Sequence, residues 1–383
     1  MPTSVVIIGS AHPLRGGGLS TFNERLAREC MHQGYQTSIV TFSLQYPNFL
    51  FPGTTQYSDE PAPTDLKISV AINTVNPLNW LKVGRQIKKL RPDIVVVRYW
   101  IPFMGPCLGT ILRIIKKNKH TQIVCIADNI IPHEKRIGDT LFTKYFIKPV
   151  DRFIVMSEQV LADLKTFTQQ QPTQFITHPL YDNFGEKITK EAARAALGIT
   201  NNDKIVLFFG FIRKYKGVDM LLDAINIIKK QQNKVPFKVL IAGEFYEDRQ
   251  PFDTQIAELL LADYLILKTD FIPDYQVRNY FCAADVVIQP YRNATQSGVT
   301  PLAYHFEIPM IVTNVGGLPS LVPHEKIGLV TAPNPTAIAE SLLAFFKYDA
   351  QYFIDNIKQA KPALSWQNLV NAIVHPNQKN DLA

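Results

Sequence analysis

The stretch Gly210-Phe211-Ile212-Arg213-Lys214-Tyr215-Lys216-Gly217 sets two cations, Arg213 and Lys216, between two glycines. It follows an apolar run over 204–210 and leads into a helix starting near Val218-Asp219. Two cations at the end of a strand suit a diphosphate, whose charge has to be neutralised as a bond to it breaks. A solvated basic loop would have the same composition. A second glycine loop, Gly16-Gly17-Gly18, follows the run Val5-Val6-Ile7-Ile8. Glycines there let the backbone approach a ligand, and the helix behind them offers an N-terminus that favours anions. A plain tight turn needs the same residues. As a dinucleotide fingerprint the loop is poor. Thr21 stands where the third glycine of G-x-G-x-x-G belongs, and the next strand ends Thr41-Phe42-Ser43 with no acid for a ribose.

Other chemistries find no support. No Asp-x-Asp closes a strand, and neither G-x-S-x-G nor H-E-x-x-H occurs, so no metal and no cofactor are expected. Cys30, Cys107, Cys125 and Cys282 are far apart and have no His cluster near them. They read as reduced, buried thiols, not as a disulfide framework or a zinc site. The net charge of +7 is one-sided: residues 1–180 hold 20 basic and 12 acidic side chains, residues 181–383 hold 20 and 21. A basic first half suggests attraction to an anionic surface or ligand. Lys82, Arg85 and Lys89, with Lys88 and Arg91, recur at helical spacing, and Arg113, Lys116, Lys117 and Lys119 form a second group. Solvated helix faces look the same. With no reading motif, nucleic acid is not expected as a partner.

These residues must be positioned by a large scaffold. A chain of 383 residues has room for two domains. Its 46% apolar and 19% charged residues are those of a globular protein. No apolar run reaches the roughly 18–20 residues of a membrane helix. Met-Pro-Thr-Ser leads straight into the first strand, so no secretory signal and a cytoplasmic location are expected. Apolar runs at 5–9, 37–42, 66–70, 93–97, 122–126 and 152–156 predict buried parallel strands. Helices are expected at 21–33, with Thr21-Phe22-Asn23-Glu24 as a capping box, at 78–90, at 106–119 and after Ser157. The pattern breaks near 180–200, where a linker is placed. It then resumes with strands at 204–210, 237–242, 265–271, 286–290, 310–313 and 328–331. Strands alternating with helices, twice over, predict two Rossmann-like α/β domains in tandem with a cleft between them.

The loop 210–217 resembles the donor-phosphate loop of GT-B glycosyltransferases of the retaining GT4 type. Other stretches agree in order and spacing: Ala242-Gly243-Glu244, the strand Ala283-Ala284-Asp285 to Pro290, Ile308-Pro309 to Gly316-Gly317-Leu318-Pro319, and Ser365-Trp366 before the last helix. In the first half the Gly-Gly loop matches, and Asp128-Asn129-Ile130-Ile131-Pro132-His133-Glu134 resembles a subgroup's His-Asn-x-x-Pro-His-Glu. The similarity runs nearly end to end. Two departures stand out. The family's Glu-x7-Glu pair falls on Ala294 and Leu302, which puts ribose recognition in doubt. Asp128 occupies the position of a histidine that, in the family, contacts the donor sugar near the reacting carbon. At a strand end an acid can accept a proton from a sugar hydroxyl or orient it, or simply cap the next loop. The stretch Tyr99-Trp100-Ile101-Pro102-Phe103-Met104 would meet an acceptor lipid or belong to the core.

The resemblance implies an α/β fold of the GT-B kind, two Rossmann-like domains facing across a cleft. Residues 1–180 would bind the acceptor, 181–362 the nucleotide-sugar, and a last helix within 363–383 would pack back on the first domain. Asp128, Arg213 and Lys216 are the catalytic candidates. Gly17, Gly18, Arg213, Lys216, Gly243, Gln296, Ser297, Gly298, Val299 and Thr300 would bind the donor, and His133, Glu134 and Arg136 the acceptor. The implied reaction moves a sugar from a nucleotide-sugar to a hydroxyl of a glycan or lipid-linked acceptor, with retention, in cell-surface polysaccharide or glycoconjugate synthesis. No metal is implied. The basic first half would lie on the anionic inner face of the membrane. Two alternatives remain: a non-catalytic GT-B binding partner, favoured by the lost glutamates, and a sugar-nucleotide epimerase, which would want a pair of acid and base carboxylates not seen here.

Overall fold

Runs of four to six residues dominated by Val, Ile, Leu and Phe form most of the strands of two parallel sheets. A computed structural model describes residues 2–15, 18–47, 55–132, 136–182, 184–199, 203–232, 235–294 and 297–375. The chain divides into two units, Met1–Pro179 with Ser365–Ala383, and Leu180–Leu364.

The first unit contains β1 (Ser4–Ile8), β2 (Gln36–Leu44), β3 (Ile68–Asn73), β4 (Ile94–Tyr99), β5 (Gln122–Ala127), β6 (Arg152–Val155) and β7 (Thr173–Phe175). Its helices are α1 (Leu19–His32), α2 (Pro77–Leu90), α3 (Gly105–Lys116), α4 (Asp139–Ile147) and α5 (Glu158–Lys165). The strand order is β3-β2-β1-β4-β5-β6-β7. Every pairing is parallel, with Ile8 opposite both Val40 and Val97. The capping box expected at Thr21 does not form. The helix begins two residues earlier, behind Gly18 at φ 111°, and Glu24 accepts the backbone N–H of His12 at 2.9 Å. Residues 99–104 are mostly core. Tyr99, Pro102 and Met104 are buried, Trp100, Ile101 and Phe103 pack on the core, and the Trp100 indole donates to Tyr46 Oη at 2.5 Å.

A closing helix, Trp366–Val374, belongs to this unit and is capped by Ser365 Oγ. Trp366 sets its ring against Phe22 of α1 at 4.8 Å between centroids. Arg152 donates from Nη1 to the Ala372 carbonyl at 2.6 Å and from Nη2 to the Ile373 carbonyl. This puts a cation on the negative end of the helix dipole.

The second unit contains β8 (Lys204–Phe209), β9 (Phe237–Ala242), β10 (Leu265–Lys268), β11 (Val286–Gln289), β12 (Met310–Thr313) and β13 (Gly328–Thr331), ordered β10-β9-β8-β11-β12-β13 and all parallel. The helices are α6 (Lys190–Leu197), α7 (Val218–Gln232), α8 (Gln250–Glu258), α9 (Val277–Ala283), α10 (Val299–Phe306), α11 (Leu318–Leu321), α12 (Pro335–Phe345) and α13 (Ala350–Ala360).

Each sheet reverses its winding once, between β1 and β4 and between β8 and β11. Loops leaving the carboxyl ends of such a strand pair turn to opposite faces and open a crevice where ligands of α/β proteins bind. No helix among the described residues is long and apolar enough to cross a membrane.

Candidate active site

In the second unit the loops after β8 and β11 meet at the reversal point. The loop after β8 is tied first to its other neighbour: Ile212 N–H donates to the Glu244 carbonyl at 2.8 Å and Tyr246 N–H to Ile212 at 3.1 Å. The two chains approach so closely that a Cβ on Gly243 (φ 138°) would collide with the Gly210 carbonyl. This gives Gly243 a structural reason to be glycine. The loop is also tied to β11's. Arg292 N–H donates to the Tyr215 carbonyl at 2.7 Å, and its guanidinium forks onto Asp219 at 2.6 and 2.7 Å.

Within this frame Lys214–Lys216 form one turn of 3-10 helix. Lys216 folds back over the strand end, its Nζ 2.9 Å from where a Cβ on Gly210 would stand. That same point is 3.8 Å from Val299 Cγ2 at the start of α10, and Nζ sits 5.5 Å from the Tyr291 ring centroid. Arg213 holds its guanidinium 5.2 Å from the Tyr246 ring, which stacks on Phe211. Neither cation pairs with a carboxylate among the described residues. Burial, and then the charge of Arg213, push Lys216 down to about 8. Two neighbouring cations, one desolvated, are costly unless an anion joins them.

The start of α10 is partly spoken for. Ser297 Oγ accepts the Val299 N–H at 3.2 Å and lies 3.3 Å from Tyr291 Oη. The Thr300 side chain is turned into the core, bonded to the Gln289 amide at 3.1 Å. Gly298 faces the Tyr181 ring, 3.4 Å from its would-be Cβ. Ala294 and Leu302 are both buried. Gln296, Gly17, His133 and Glu134 lie outside the described residues. Arg136 is exposed, and its N–H donates to Asp139 Oδ2 at 2.7 Å.

In the first unit, Asp128 follows β5 and is not a free acid. Arg98, 3% exposed on β4, donates from Nε to Asp128 Oδ2 at 2.8 Å and from Nη2 to Oδ1. Its guanidinium stacks 3.9 Å over the Phe22 ring. Phe22 in turn meets the edge of His178, which is buried, bonded through Nδ1–H to the Pro179 carbonyl at 2.7 Å and held neutral. Burial is the main cause and the Arg98 charge adds to it, bringing the imidazole down to about 4. Arg98 Nη1 and Asn23 Oδ1 are buried with no hydrogen-bond partner among the described residues. Both side chains flank Gly9 at the end of β1, the second reversal point. Arg98, Phe22 and His178 escaped the sequence reading. A charged residue inside Ile94–Tyr99, otherwise an apolar strand, was the signal available, since a buried charge demands a partner.

Burial raises the thiols Cys30, to about 12, Cys107 and Cys125. All four cysteines are buried and free. No metal-holding group of His, Cys, Asp and Glu is found among the described residues.

The Glycosyl transferases group 1 family matches residues 189–360, and Glycosyltransferase Family 4 matches residues 16–177. The chain belongs to the GT4-type glycosyltransferases. Relatives of this family at the sequence level include a D-inositol 3-phosphate glycosyltransferase of Corynebacterium urealyticum, 29% identical over 50% of this chain and 46% of the relative. Another is the lipopolysaccharide core biosynthesis mannosyltransferase LpsB of Rhizobium meliloti, 26% identical over 54% and 58%. The chain thus spans about half the length of the curated relatives it matches. Anabaena Alr3699/HepE in complex with UDP superposes with a TM-score of 0.72 over 98% of this chain and 99% of that one, at 15% identity. That likeness shows the GT-B fold.

Proposed function

We propose that the protein transfers a sugar from a nucleoside-diphosphate sugar to a hydroxyl of a glycan or lipid-linked acceptor, retaining the anomeric configuration. One observation carries this reading: Arg213 and Lys216 stand in one turn after β8, near enough for the charge of Arg213 to bear on Lys216, without carboxylate partners among the described residues, at the reversal point of the second sheet. A diphosphate completes that arrangement. The UDP complex of the Anabaena structure supports the same ligand class. Arg213 and Lys216 neutralise the diphosphate as the bond to the sugar carbon breaks, and the departing phosphate oxygen takes the acceptor's proton. Positioning and charge stabilisation then do the catalysis, with no protein nucleophile and no metal. Asp128, gripped by Arg98, is a rigid acceptor for a sugar hydroxyl. The relative named for lipopolysaccharide core biosynthesis favours a cell-surface glycoconjugate as product.

A thermal-shift screen against nucleoside diphosphates and their sugars tests this. One base should raise the melting temperature, because a ligand bound only by the folded state must stabilise it. The shift should vanish in Arg213→Ala. No shift with any base would overturn the reading. Buried Ala294 and Leu302, where the family has glutamates, favour a second reading, a binder without turnover. Slow hydrolysis of the bound sugar nucleotide would exclude it.

A further inference from the structure

The loop after β9, residues 244–247, runs beside the segment that presents Arg213 and holds it through backbone and side chains alike. The two backbone bonds of Ile212 to this loop make a parallel bridge with Phe245. Arg213 is the extended residue just before the 3-10 turn, at φ −140° and ψ 151°. Its guanidinium carbon lies 5.2 Å from the centroid of the Tyr246 ring, and that ring stacks on Phe211 at 4.1 Å and 27°. A long arginine side chain is costly to fix, and an aromatic face fixes it by cation–π attraction and stacking. The turn has a second need. The first N–H of a helical turn finds no acceptor inside it. Ser, Thr, Asn or Asp at the cap position would supply one, but the residue there is Arg213, whose side chain makes no cap. Glu247 Oε2 takes the Lys214 N–H instead, at 2.7 Å. The loop is itself anchored: Phe245 meets Phe252 of α8 edge-on at 5.1 Å, and Arg249 lies 5.6 Å over the Phe245 ring.

We propose that Tyr246 and Glu247 are positioning residues for the diphosphate site. Tyr246 aims the Arg213 guanidinium, and Glu247 caps the turn from Lys214 to Lys216, so that both cations are set before the donor arrives. This deepens the proposed function and rests on it. Packing explains Phe245, whose ring meets a buried neighbour, but it does not explain Glu247. Glu247 is exposed, and its bond orders the turn without adding to the core. Order in the turn matters for affinity, because a site formed only part of the time binds in proportion to that fraction.

Calorimetric titration of uridine, guanosine, adenosine and thymidine diphosphates into the full chain and its variants, at one pH, tests this. Tyr246→Leu should weaken the binding seen in the wild type about fivefold, whereas Tyr246→Phe should leave it unchanged because the ring is kept. Glu247→Ala and Glu247→Gln both remove the charge, so the difference between them reads the cap alone. Glu247→Ala should bind about fivefold more weakly than Glu247→Gln, which keeps an acceptor for the Lys214 N–H. Melting temperatures of the unliganded variants should hold, since Glu247 is exposed and Tyr246 half-buried. Wild-type affinity in Tyr246→Leu, an equal loss in Tyr246→Phe, or equal binding by the two Glu247 variants would overturn the proposal. Arg213→Ala is titrated alongside. If it loses binding while the Tyr246 and Glu247 variants keep it, the positioning roles fail alone and the donor site stands. If no diphosphate binds the wild type, the donor reading falls and the positioning roles with it.

Discussion

The two sheet-reversal points treat charge in opposite ways. At β8 and β11 two cations, Arg213 and Lys216, share one turn and no carboxylate among the described residues pairs with them. Beside the β1–β4 reversal of the first sheet, Arg98 of β4 and Asp128 after β5 are locked together, and the guanidinium is stacked on an aromatic ring. On the proposed reading, the first arrangement leaves its charge for a ligand. The second has spent it on rigidity, so Asp128 is a fixed acceptor of hydrogen bonds and Arg98 its holder. A functional acid and a functional base are therefore not told apart by residue type alone, but by whether the fold has already satisfied them.

The contrast can be broken most forcefully at the buried pair. Arg98→Met leaves the Asp128 carboxylate without its partner and should cost about 3–5 kcal/mol of unfolding free energy, read by urea denaturation. A loss of under about 1 kcal/mol would mean that the pair is solvated. Arg213→Ala should do the reverse: turnover falls roughly 10²–10³-fold while the urea midpoint barely moves.

Lys216 sharpens the comparison through its sign. Its folded value of about 8 lies below the 10.5 of a free lysine. The desolvated cation therefore costs stability below pH 8, and the cost fades as the pH rises toward 10.5. Lys216→Met should accordingly raise the melting temperature of the unliganded protein at neutral pH while abolishing the nucleotide-induced shift. In the wild type, affinity for a nucleoside-diphosphate sugar, whose diphosphate has no group titrating near neutrality, should be flat below about pH 8 and fall up to tenfold per pH unit above it, as calorimetry in buffers of different ionisation enthalpy would show by proton uptake. The smallest effect belongs to Thr300→Val. Losing the bond to Gln289 should cost about 1 kcal/mol of stability and leave nucleotide affinity unchanged, because the hydroxyl faces the core. A marked loss of affinity would put Thr300 at the ligand instead.

Much of the scaffold was legible because parallel strands are buried on both faces. Runs such as Ile94-Val95-Val96-Val97 and Val286-Val287-Ile288 announce themselves without any partner in view. The elements that escaped lack that signature. The helix Asp139–Ile147 carries apolar residues on its exposed side as well as its buried one, which blurs the 3.6-residue period. The strand Thr173–Phe175 is three residues at a sheet edge. The capping box at Thr21 failed because Glu24 serves the His12 N–H, a competition that spacing cannot reveal. In the candidate site, the loop that carries Arg213 and Lys216 was legible because loop chemistry is local. The Arg98–Asp128 pair spans 30 residues and two strands, so only the folded sheet brings it together.

The central claim is that the cations left unpaired after β8 form a diphosphate site. Isothermal titration of nucleoside diphosphates carrying each common base, into the wild type and into the double variant Arg213→Ala/Lys216→Met, tests it most directly. The account predicts saturable binding of at least one of them to the wild type and none to the double variant, with both proteins folded. Binding of equal strength to both, or to neither, would contradict it.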